Sequence, residues 1–176
     1  KVTYVAGTLT ITSKVIDKDG KNVEVNSPTD HEYDSKAHKW SPTVTDKKSK
    51  KKLEAGKDYE VSYDKDDFTN VGTITVTITG KGNYSGTVTR SYKITPKSVT
   101  VTADNKSKVF GETEPELTAK VAGTLGNDTV EYTLSRKAGE DVGTYPITAS
   151  GKAEQGNYKV TYVAGTLTIT SQSVSY

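Results

Sequence analysis

The chain has 176 residues, of which 32% are hydrophobic and 26% are charged, and its formal net charge at pH 7 is +2. This small net charge gives no strong attraction to nucleic acid or to an anionic membrane surface, so we expect neither as a partner. The absence of cysteine excludes disulfides, thiolate metal sites and a cysteine nucleophile, and no apolar run approaches the roughly 20 residues of a membrane-spanning helix.

The first thirteen residues, KVTYVAGTLTITS, recur letter for letter at residues 159–171. An identical stretch of this length indicates a tandem array of repeats, and such arrays are mostly spacers or adhesive stalks. We interpret residues 1–13 as the orphan closing strand of a preceding repeat, with a bulge or bend at Ala6 and Gly7. Because an unpaired apolar strand is a pairing hazard, we expect it to add to a sheet edge of the following module or of a neighbouring molecule.

Alternating apolar and polar residues follow through the rest of the chain. Ile74, Val76 and Ile78 alternate with threonines, which places aliphatic side chains on one face of a strand and hydroxyls on the other. The same period of two defines the other predicted strands, whose inward residues are Tyr59, Val61 and Tyr63; Val88, Tyr92 and Ile94; Val99 and Val101; Val130, Tyr132 and Leu134; and Tyr145, Ile147 and Ala149. No stretch has the 3.6-residue period of an amphipathic helix. The chain is therefore predicted to be all-β.

The two halves of the chain share an order of elements. Both halves contain the motif Val-Gly-Thr, at 71–73 and 142–144, followed by the motif Gly-Asn-Tyr, at 82–84 and 156–158. Turn residues of this kind separate consecutive strands. Each half is therefore predicted to end in the same hairpin, and in the second half residues 159–171 are expected to pair with residues 142–151.

These patterns predict two tandem Ig-like β-sandwich modules, at residues 14–95 and 96–171, with residues 172–176 beginning a further repeat. A β-grasp-like arrangement is the alternative for the second module, because residues 109–120 (VFGETEPELTAK) could hold a helical turn.

Several motifs resemble known bacterial repeats. In the first module, GKDYEVSY (56–63), NVGTITVTITGKGNYSGT (70–87) and SYKIT (91–95) resemble the Ig-like repeats of Gram-positive surface proteins. In the second module, KVFGETEPELTAKV (108–121), GNDTVEYTLSRKAGEDVGTY (126–145) and GNYKVTYVAGTLTIT (156–170) resemble the MBG-type, YGX-like repeats of adhesin-like surface proteins. The resemblance implies serial modules between a distal head and a wall anchor. It therefore implies an extracellular chain, either anchored to the bacterial cell wall or secreted, whose partners are neighbouring repeats of the same protein.

The resulting functional prediction is a non-catalytic stalk or spacer repeat of a cell-surface adhesin-like protein. The alternative is an adhesive module that binds host glycan, mucin or matrix protein, and a third possibility is an accessory module of a secreted polysaccharide-degrading enzyme. The two histidines, His31 and His38, come without a nucleophile or a metal-ligand motif, so we expect neither enzymatic activity nor a cofactor.

Two acidic loops are candidate calcium sites. Asp17 and Asp19 with Asn22, and Asp64 and Asp66 with Asp67, offer the hard oxygen ligands that Ca²⁺ prefers. Neither loop forms a complete EF-hand-type sequence. We favour turn formation as the role of both loops, because Asp, Asn and Gly are the residues that tight turns require.

Two further groups are candidate ligand sites. Trp40, near Tyr33 and His38, could form a sugar-stacking platform, although packing is the favoured role of a lone tryptophan. The lysine run at 47–52, which includes Lys50 and Lys51, could attract a polyanion. We favour a solvated hairpin tip that discourages edge aggregation.

Overall fold

The computed structural model describes residues 1–174, and the regular structure within them consists of β-strands alone. The strands of the first half are β1 (Lys14–Val15), β2 (Val23–Val25), β3 (His31–Glu32), β4 (Val44–Asp46), β5 (Tyr59–Tyr63), β6 (Gly72–Gly80), β7 (Tyr84–Ser85) and β8 (Thr87–Thr95). Those of the second half are β9 (Lys97–Ala103), β10 (Lys106–Val109), β11 (Ala119–Ala122), β12 (Thr133–Arg136), β13 (Gly143–Ser150), β14 (Glu154–Gln155), β15 (Tyr158–Val163) and β16 (Gly165–Thr170). The all-β prediction is confirmed. Ser175 and Tyr176, the end of the segment predicted to begin a further repeat, lie outside the described residues.

The chain folds into two compact units. The first consists of Lys1–His31, Ala37–Phe68 and Gly72–Lys93, and the second consists of Glu32–Lys36, Thr69–Val71 and the chain from Ile94 onward. The module boundaries at 14–95 and 96–171 stay predictions.

The first unit is built around the alternating strand β6. Its Ile74, Val76 and Ile78 are fully buried, while its threonines are exposed or half-buried, as the alternation predicts. The four-stranded sheet has the order β3-β8-β6-β5, β2 pairs with β4 in antiparallel fashion, and β1 pairs with β7 in parallel. Further core residues on other elements are Ile16, Val23, Val44, Leu53, Val88 and Tyr92.

The second unit is a sandwich of two mixed four-stranded sheets, with the orders β10-β16-β13-β12 and β11-β9-β15-β14. Alternate residues of both sheets are buried, among them Val99, Val101 and Val160 of one sheet and Leu167 and Ile169 of the other. The β-grasp-like alternative is wrong for this unit. Residues 109–120 form no helix, because the chain leaves the end of β10 through a tight turn and an extended segment before it enters β11.

Two segments of the second unit, β9 followed by β10 and β15 followed by β16, run parallel to each other and pass together from one sheet to the other. We call this arrangement the parallel crossing. Residue 158 pairs with residue 97 in the sheet β11-β9-β15-β14, and residue 167 pairs with residue 106 in the sheet β10-β16-β13-β12, so the offset is 158 − 97 = 167 − 106 = 61 in both. The register is therefore continuous from β9–β15 into β10–β16. The two chain segments bend together, and at the bend the Thr166 N–H donates to Asn105 Oδ1 at 2.9 Å.

A glycine permits the close approach at this bend. A Cβ on Gly165 would lie 2.6 Å from the carbonyl oxygen of Ala103. Gly86 holds the equivalent position in the first unit, where a Cβ would lie 2.7 Å from the carbonyl oxygen of Ile16. In both units the chain leaves a strand with a parallel partner and continues, after one residue, into a strand of another sheet.

This crossing corrects the predicted closing hairpin. Residues 159–171 are predicted to pair with residues 142–151. Only the part of this segment in β16 pairs with β13, with partners from Gly143 and Ile169 to Ile147 and Gly165. The first part, β15, pairs with β9 and β14 instead. Period-two alternation continues through both strands, so it gives no sign of a change of sheet.

Residues 1–13 form no strand, and their apolar side chains are exposed. The expectation that this segment adds to a sheet of the first module is wrong. The expected bulge at Ala6 and Gly7 is also absent, and the identical residues bend instead at Ala164 and Gly165, between β15 and β16. Addition to a neighbouring molecule stays a prediction.

Candidate functional site

Two tyrosine hydroxyls fix the backbone of the segment that carries Trp40. The Tyr92 hydroxyl donates to the carbonyl oxygen of His38 at 2.6 Å and accepts from the Trp40 N–H at 3.2 Å. The Tyr63 hydroxyl donates to the carbonyl oxygen of Trp40 at 2.6 Å. Burial raises the pKa of Tyr92, which keeps this hydroxyl protonated. The backbone on both sides of Trp40 is thus hydrogen-bonded, and the Trp40 side chain is half-buried.

Aromatic rings and one ammonium group surround this segment. The His31 and His38 rings stack with centroids 4.3 Å apart, and Tyr63 meets Phe68 edge-on at 5.2 Å. The Lys39 ammonium lies 4.8 Å from the Tyr63 ring centroid, within the range of a cation–π contact. A half-buried indole beside such a surface is compatible with stacking on a sugar ring.

Tyr33 does not offer a second stacking face. It belongs to the second unit, where its buried ring packs edge-on against Tyr158 at a centroid distance of 5.7 Å. The Tyr158 hydroxyl donates to the Asp128 carboxylate and accepts from the Leu125 N–H. Tyr33 is therefore a packing residue.

The first acidic loop forms a hydrogen-bonded turn, whereas the second is an irregular connection whose Asp64 is tied to β6. Asp17 Oδ1 accepts the Lys21 N–H at 2.8 Å, and the Asp17 carbonyl accepts the Gly20 N–H at 3.1 Å. Asp64 Oδ1 accepts the Thr75 N–H at 2.9 Å. Asp19 and Asp66 are exposed. In the part of the chain that the structure describes, no group of three or more His, Asp or Glu side chains is arranged to hold a metal ion.

The lysine run forms an exposed turn after β4, in which Lys50 adopts a φ of +59°. The buried Asp46 at the end of β4 organises this turn. Its Oδ1 accepts the Lys48 and Ser49 N–H groups at 3.0 and 3.2 Å. The lysines themselves point to solvent, so the turn could meet a polyanion only through its exposed ammonium groups.

Asp46 also links this turn to two other segments. Its Oδ2 accepts from the Lys14 ammonium and from the Tyr84 hydroxyl, both at 2.9 Å. The hydrogen bond from Lys14 holds the pKa of Asp46 well below its usual range, although burial opposes this shift. Burial and the bond to Asp46 raise the pKa of Tyr84 to about 12. Asp46 is not predicted as a functional residue from the sequence, because nothing in the sequence shows that these three residues meet.

A network of four charges lies in the second unit, and it is likewise not predicted from the sequence. The Lys108 ammonium contacts Glu114 Oε2 and Glu140 Oε2, both at 2.9 Å. Arg136 contacts Glu114 through Nε at 2.6 Å and Glu140 through Nη2 at 2.9 Å. Arg136 also donates to the carbonyl oxygen of Gly139 at 2.6 Å. Two cations and two anions satisfy one another, so this network ties loops together and leaves no net charge for a ligand.

Hydrogen bonding to the two cations lowers the pKa of both carboxylates in this network. For Glu114 the largest cause is the bond from Arg136, and for Glu140 it is the bond from Lys108. The hydrogen bonds that Lys108 donates to Glu114 and Glu140 raise the pKa of Lys108 in turn. All four groups therefore stay charged around neutral pH.

An open groove of about 790 Å³ lies beside β12 and β14 in the second unit. Its lining includes Tyr132, Lys152 and Gln155. The side chain of Gln155 is already engaged, because its Oε1 accepts the Glu131 N–H at 2.7 Å and its Nε2 donates to the carbonyl oxygen of Glu131 at 2.8 Å. The side chain of Gln155 thus holds two parts of the groove lining together.

Residues 1–174 contain no helix that is long and apolar enough to cross a membrane.

Comparison with curated proteins found no match for this chain. The family model of the MBG domain (YGX type) matches residues 99–168. The matched range begins within β9 and ends within β16, so it includes β10 and β15, parts of β9 and β16, and the four residues of the charge network. The second unit is thus similar to an MBG domain, a type of repeat module found in surface proteins.

Proposed function

We propose that this chain is a non-catalytic spacer segment of a bacterial cell-surface protein, with modules joined in series to hold a functional head away from the wall. The identical residues 1–13 and 159–171 support a tandem array, and the match to the MBG domain supports an extracellular repeat module. The preceding Ig-like repeat, the Gram-positive context and anchoring to the cell wall are parts of this proposal.

The observation that carries the proposal is the parallel crossing in the second unit. The first strand of this unit, β9, pairs in parallel with β15, and the last strand of the unit, β16, pairs in parallel with β10. A pull on the two ends of this unit loads both pairs along the strand direction. Several hydrogen bonds must then break together, which resists extension more than opening them one at a time.

The use of polar groups within the units agrees with a structural role. Among the described residues, no buried side-chain nitrogen or oxygen lacks a hydrogen-bond partner. Unsatisfied or strongly perturbed groups in a cleft often mark a functional site. Here the perturbed groups, such as Asp46 and Glu114, are held by ion pairs that join segments of the fold.

The test is to insert one, two or three copies of the chain between a wall anchor and an antibody epitope displayed on a bacterial surface. A spacer predicts that antibody access rises with copy number and that Trp40→Ala leaves this rise unchanged. An epitope whose access does not depend on copy number would contradict the proposal.

An adhesive module is the second candidate, favoured by the half-buried Trp40 beside the Lys39 ammonium and the Tyr63 ring. It predicts binding to a glycan array or to immobilised mucin that Trp40→Ala abolishes. The matched control is Tyr132→Ala, which removes an aromatic side chain from the groove of the second unit. Absence of binding by the wild-type chain would leave the spacer function alone.

A further inference from the structure

Two segments of the first unit bring their lysines to one place. Strand β2 pairs with β4, and beyond this pair the Lys47 N–H donates to the carbonyl oxygen of Asn22 at 3.0 Å. The loop 17–22, which precedes β2, therefore lies beside the turn 47–52, which follows β4. The Lys47 ammonium lies 3.9 Å from the point where a Cβ on Gly20 would stand. We call residues 17–22 and 47–52 together the lysine face.

The lysine face has a much higher charge than the chain as a whole. Residues 17–22 contain two lysines and two aspartates, and residues 47–52 contain five lysines, so the net charge of the face is 7 − 2 = +5. The formal net charge of the chain is +2, so the other residues together carry 2 − 5 = −3. Positive charge is thus concentrated at one face of a nearly neutral chain, which attracts an anionic partner to that face.

The seven ammonium groups of the face are available to such a partner. The seven lysines are exposed, and within residues 1–174 none of them has a carboxylate at ion-pair distance. Asp17 Oδ1 accepts the Lys21 N–H. The buried Asp46 beside the turn is paired with Lys14, which lies outside the face. The carboxylates nearest to the face are therefore engaged within the fold.

The backbone of the turn is hydrogen-bonded at both ends. Asp46 Oδ1 accepts the Lys48 and Ser49 N–H groups, and the Asp46 N–H donates to the carbonyl oxygen of Lys51 at 2.9 Å. Thr45 and Lys52 form an antiparallel bridge below it. Because this backbone is already ordered, binding a partner costs less conformational entropy than it would on an open loop.

The residue types of the face select among anionic partners. The face contains lysine but neither arginine nor an aromatic residue. The planar fork of arginine suits bidentate recognition, whereas the lysine ammonium is a compact, strongly hydrated point charge that binds phosphate. Proteins that bind single-stranded nucleic acid add aromatic side chains on which bases stack, and the face has none. These features favour a phosphate polymer without bases.

We propose that the lysine face binds a linear polyol phosphate polymer, a chain of phosphodiester groups without bases. An exposed ion pair contributes only about 0.2 to 1 kcal/mol, but successive phosphates of one polymer meet several lysines at once, so these contacts act together. Binding releases counterions and therefore weakens as salt rises. This site goes beyond the spacer function and does not depend on it.

The first arm of the test titrates the whole chain with synthetic poly(glycerol phosphate) in a calorimeter, at about 50 and 150 mM NaCl. The wild type should bind, and more weakly at the higher salt. Replacing four lysines of the turn should weaken binding about tenfold or more; the variant carries Lys47→Gln, Lys48→Gln, Lys51→Gln and Lys52→Gln. Lys50 is kept because its φ is +59°. A wild-type chain that does not bind at the lower salt overturns the proposal.

The matched control removes the same number of charges from exposed lysines elsewhere, with Lys65→Gln, Lys93→Gln, Lys137→Gln and Lys159→Gln. This variant should bind within about twofold of the wild type, because single exposed charges far from the partner contribute little. Equal weakening in the two variants would show that only net charge matters and would overturn the proposal.

A third variant tests whether both segments belong to the site. Lys18→Gln with Lys21→Gln should also weaken binding, because the loop 17–22 lies beside the turn. Binding that is unchanged in this variant contradicts a face made of two segments.

The second arm uses the wild-type chain alone and compares polymers. An abasic sugar phosphate strand and a DNA strand of the same length should bind equally, since the face has no aromatic residue for the bases. Dextran sulfate with the charge density of the poly(glycerol phosphate) should bind more weakly. Tighter binding of the DNA strand would indicate a nucleic acid, and tighter binding of dextran sulfate would indicate a sulfated glycan; either result overturns the proposal.

Discussion

Asp46 is a buried carboxylate, 3% exposed, whose role is to join segments. It binds the Lys14 ammonium, the Tyr84 hydroxyl and two N–H groups of the lysine turn. The sequence shows only an aspartate before a run of lysines, a pattern that places the turn but not its anchor. A residue of this kind is recognised only when the fold brings distant segments together.

Replacing Asp46 with Asn should destabilise the first unit by about 2 kcal/mol, because hydrogen bonds to a charged group contribute about 1.5 to 3 kcal/mol. Asp46 has a lower pKa in the folded chain than its ordinary value of 3.8. Its contribution is therefore present above pH 4 and is lost as the pH falls below that value. Urea unfolding between pH 2 and 7 should show a smaller acid loss for Asp46→Asn than for the wild type. Equal acid losses would contradict this role.

Gly165 and Gly7 provide a matched pair in identical sequence. Gly165→Ala should destabilise the second unit by about 1 to 3 kcal/mol, the usual cost of overpacking, since its Cβ meets the carbonyl oxygen of Ala103. Gly7→Ala should have almost no effect, because nothing lies near its Cβ. Urea unfolding followed by circular dichroism measures both. Equal effects would show that the bend does not need a glycine.

At the scale of strands, the alternation of apolar and polar residues predicts which segments pair but not with which partner. It finds β5, β6, β8, β9 and β13 with their buried faces. It fails for residues 159–171, because a strand that changes sheet keeps its alternation. In the sequence, the change of sheet is marked only by Ala164 and Gly165. This pair predicts a bulge or a bend, but not a change of sheet. The parallel partners of β15 and β16 lie 61 residues away in the sequence.

The loop after β12 depends on Arg136, which forms two hydrogen bonds with Glu114 and also binds the carbonyl oxygens of Lys137 and Gly139. Arg136→Lys keeps the charge but loses this planar fork. Amides of residues 137–141 should therefore exchange faster in Arg136→Lys, while those of β9 keep their protection. Lys120→Arg, at an exposed ion pair with Asp104, is the control and should change neither. Unchanged exchange in residues 137–141 would count against an anchoring role.

At the scale of the whole molecule, both units follow one plan. Each has a four-stranded sheet whose order begins with β3-β8-β6 or β10-β16-β13, and each has a parallel strand pair that precedes the change of sheet. The turn motifs repeated in the two halves of the sequence predict that the two units are related in fold. They do not show the strand order or the parallel pairs. A chain assembled from such units suits a spacer, because each unit carries its own core.

Stretching single molecules of the chain by their two ends is the sharpest test of the spacer function. The parallel pairs predict that the second unit unfolds in one cooperative force peak. Its strands span 170 − 97 + 1 = 74 residues, which at about 3.4 Å per residue extend to roughly 250 Å, less the folded length. Gly165→Ala should lower the force, and Gly7→Ala should not. Gradual extension without a peak would contradict a load-resisting spacer.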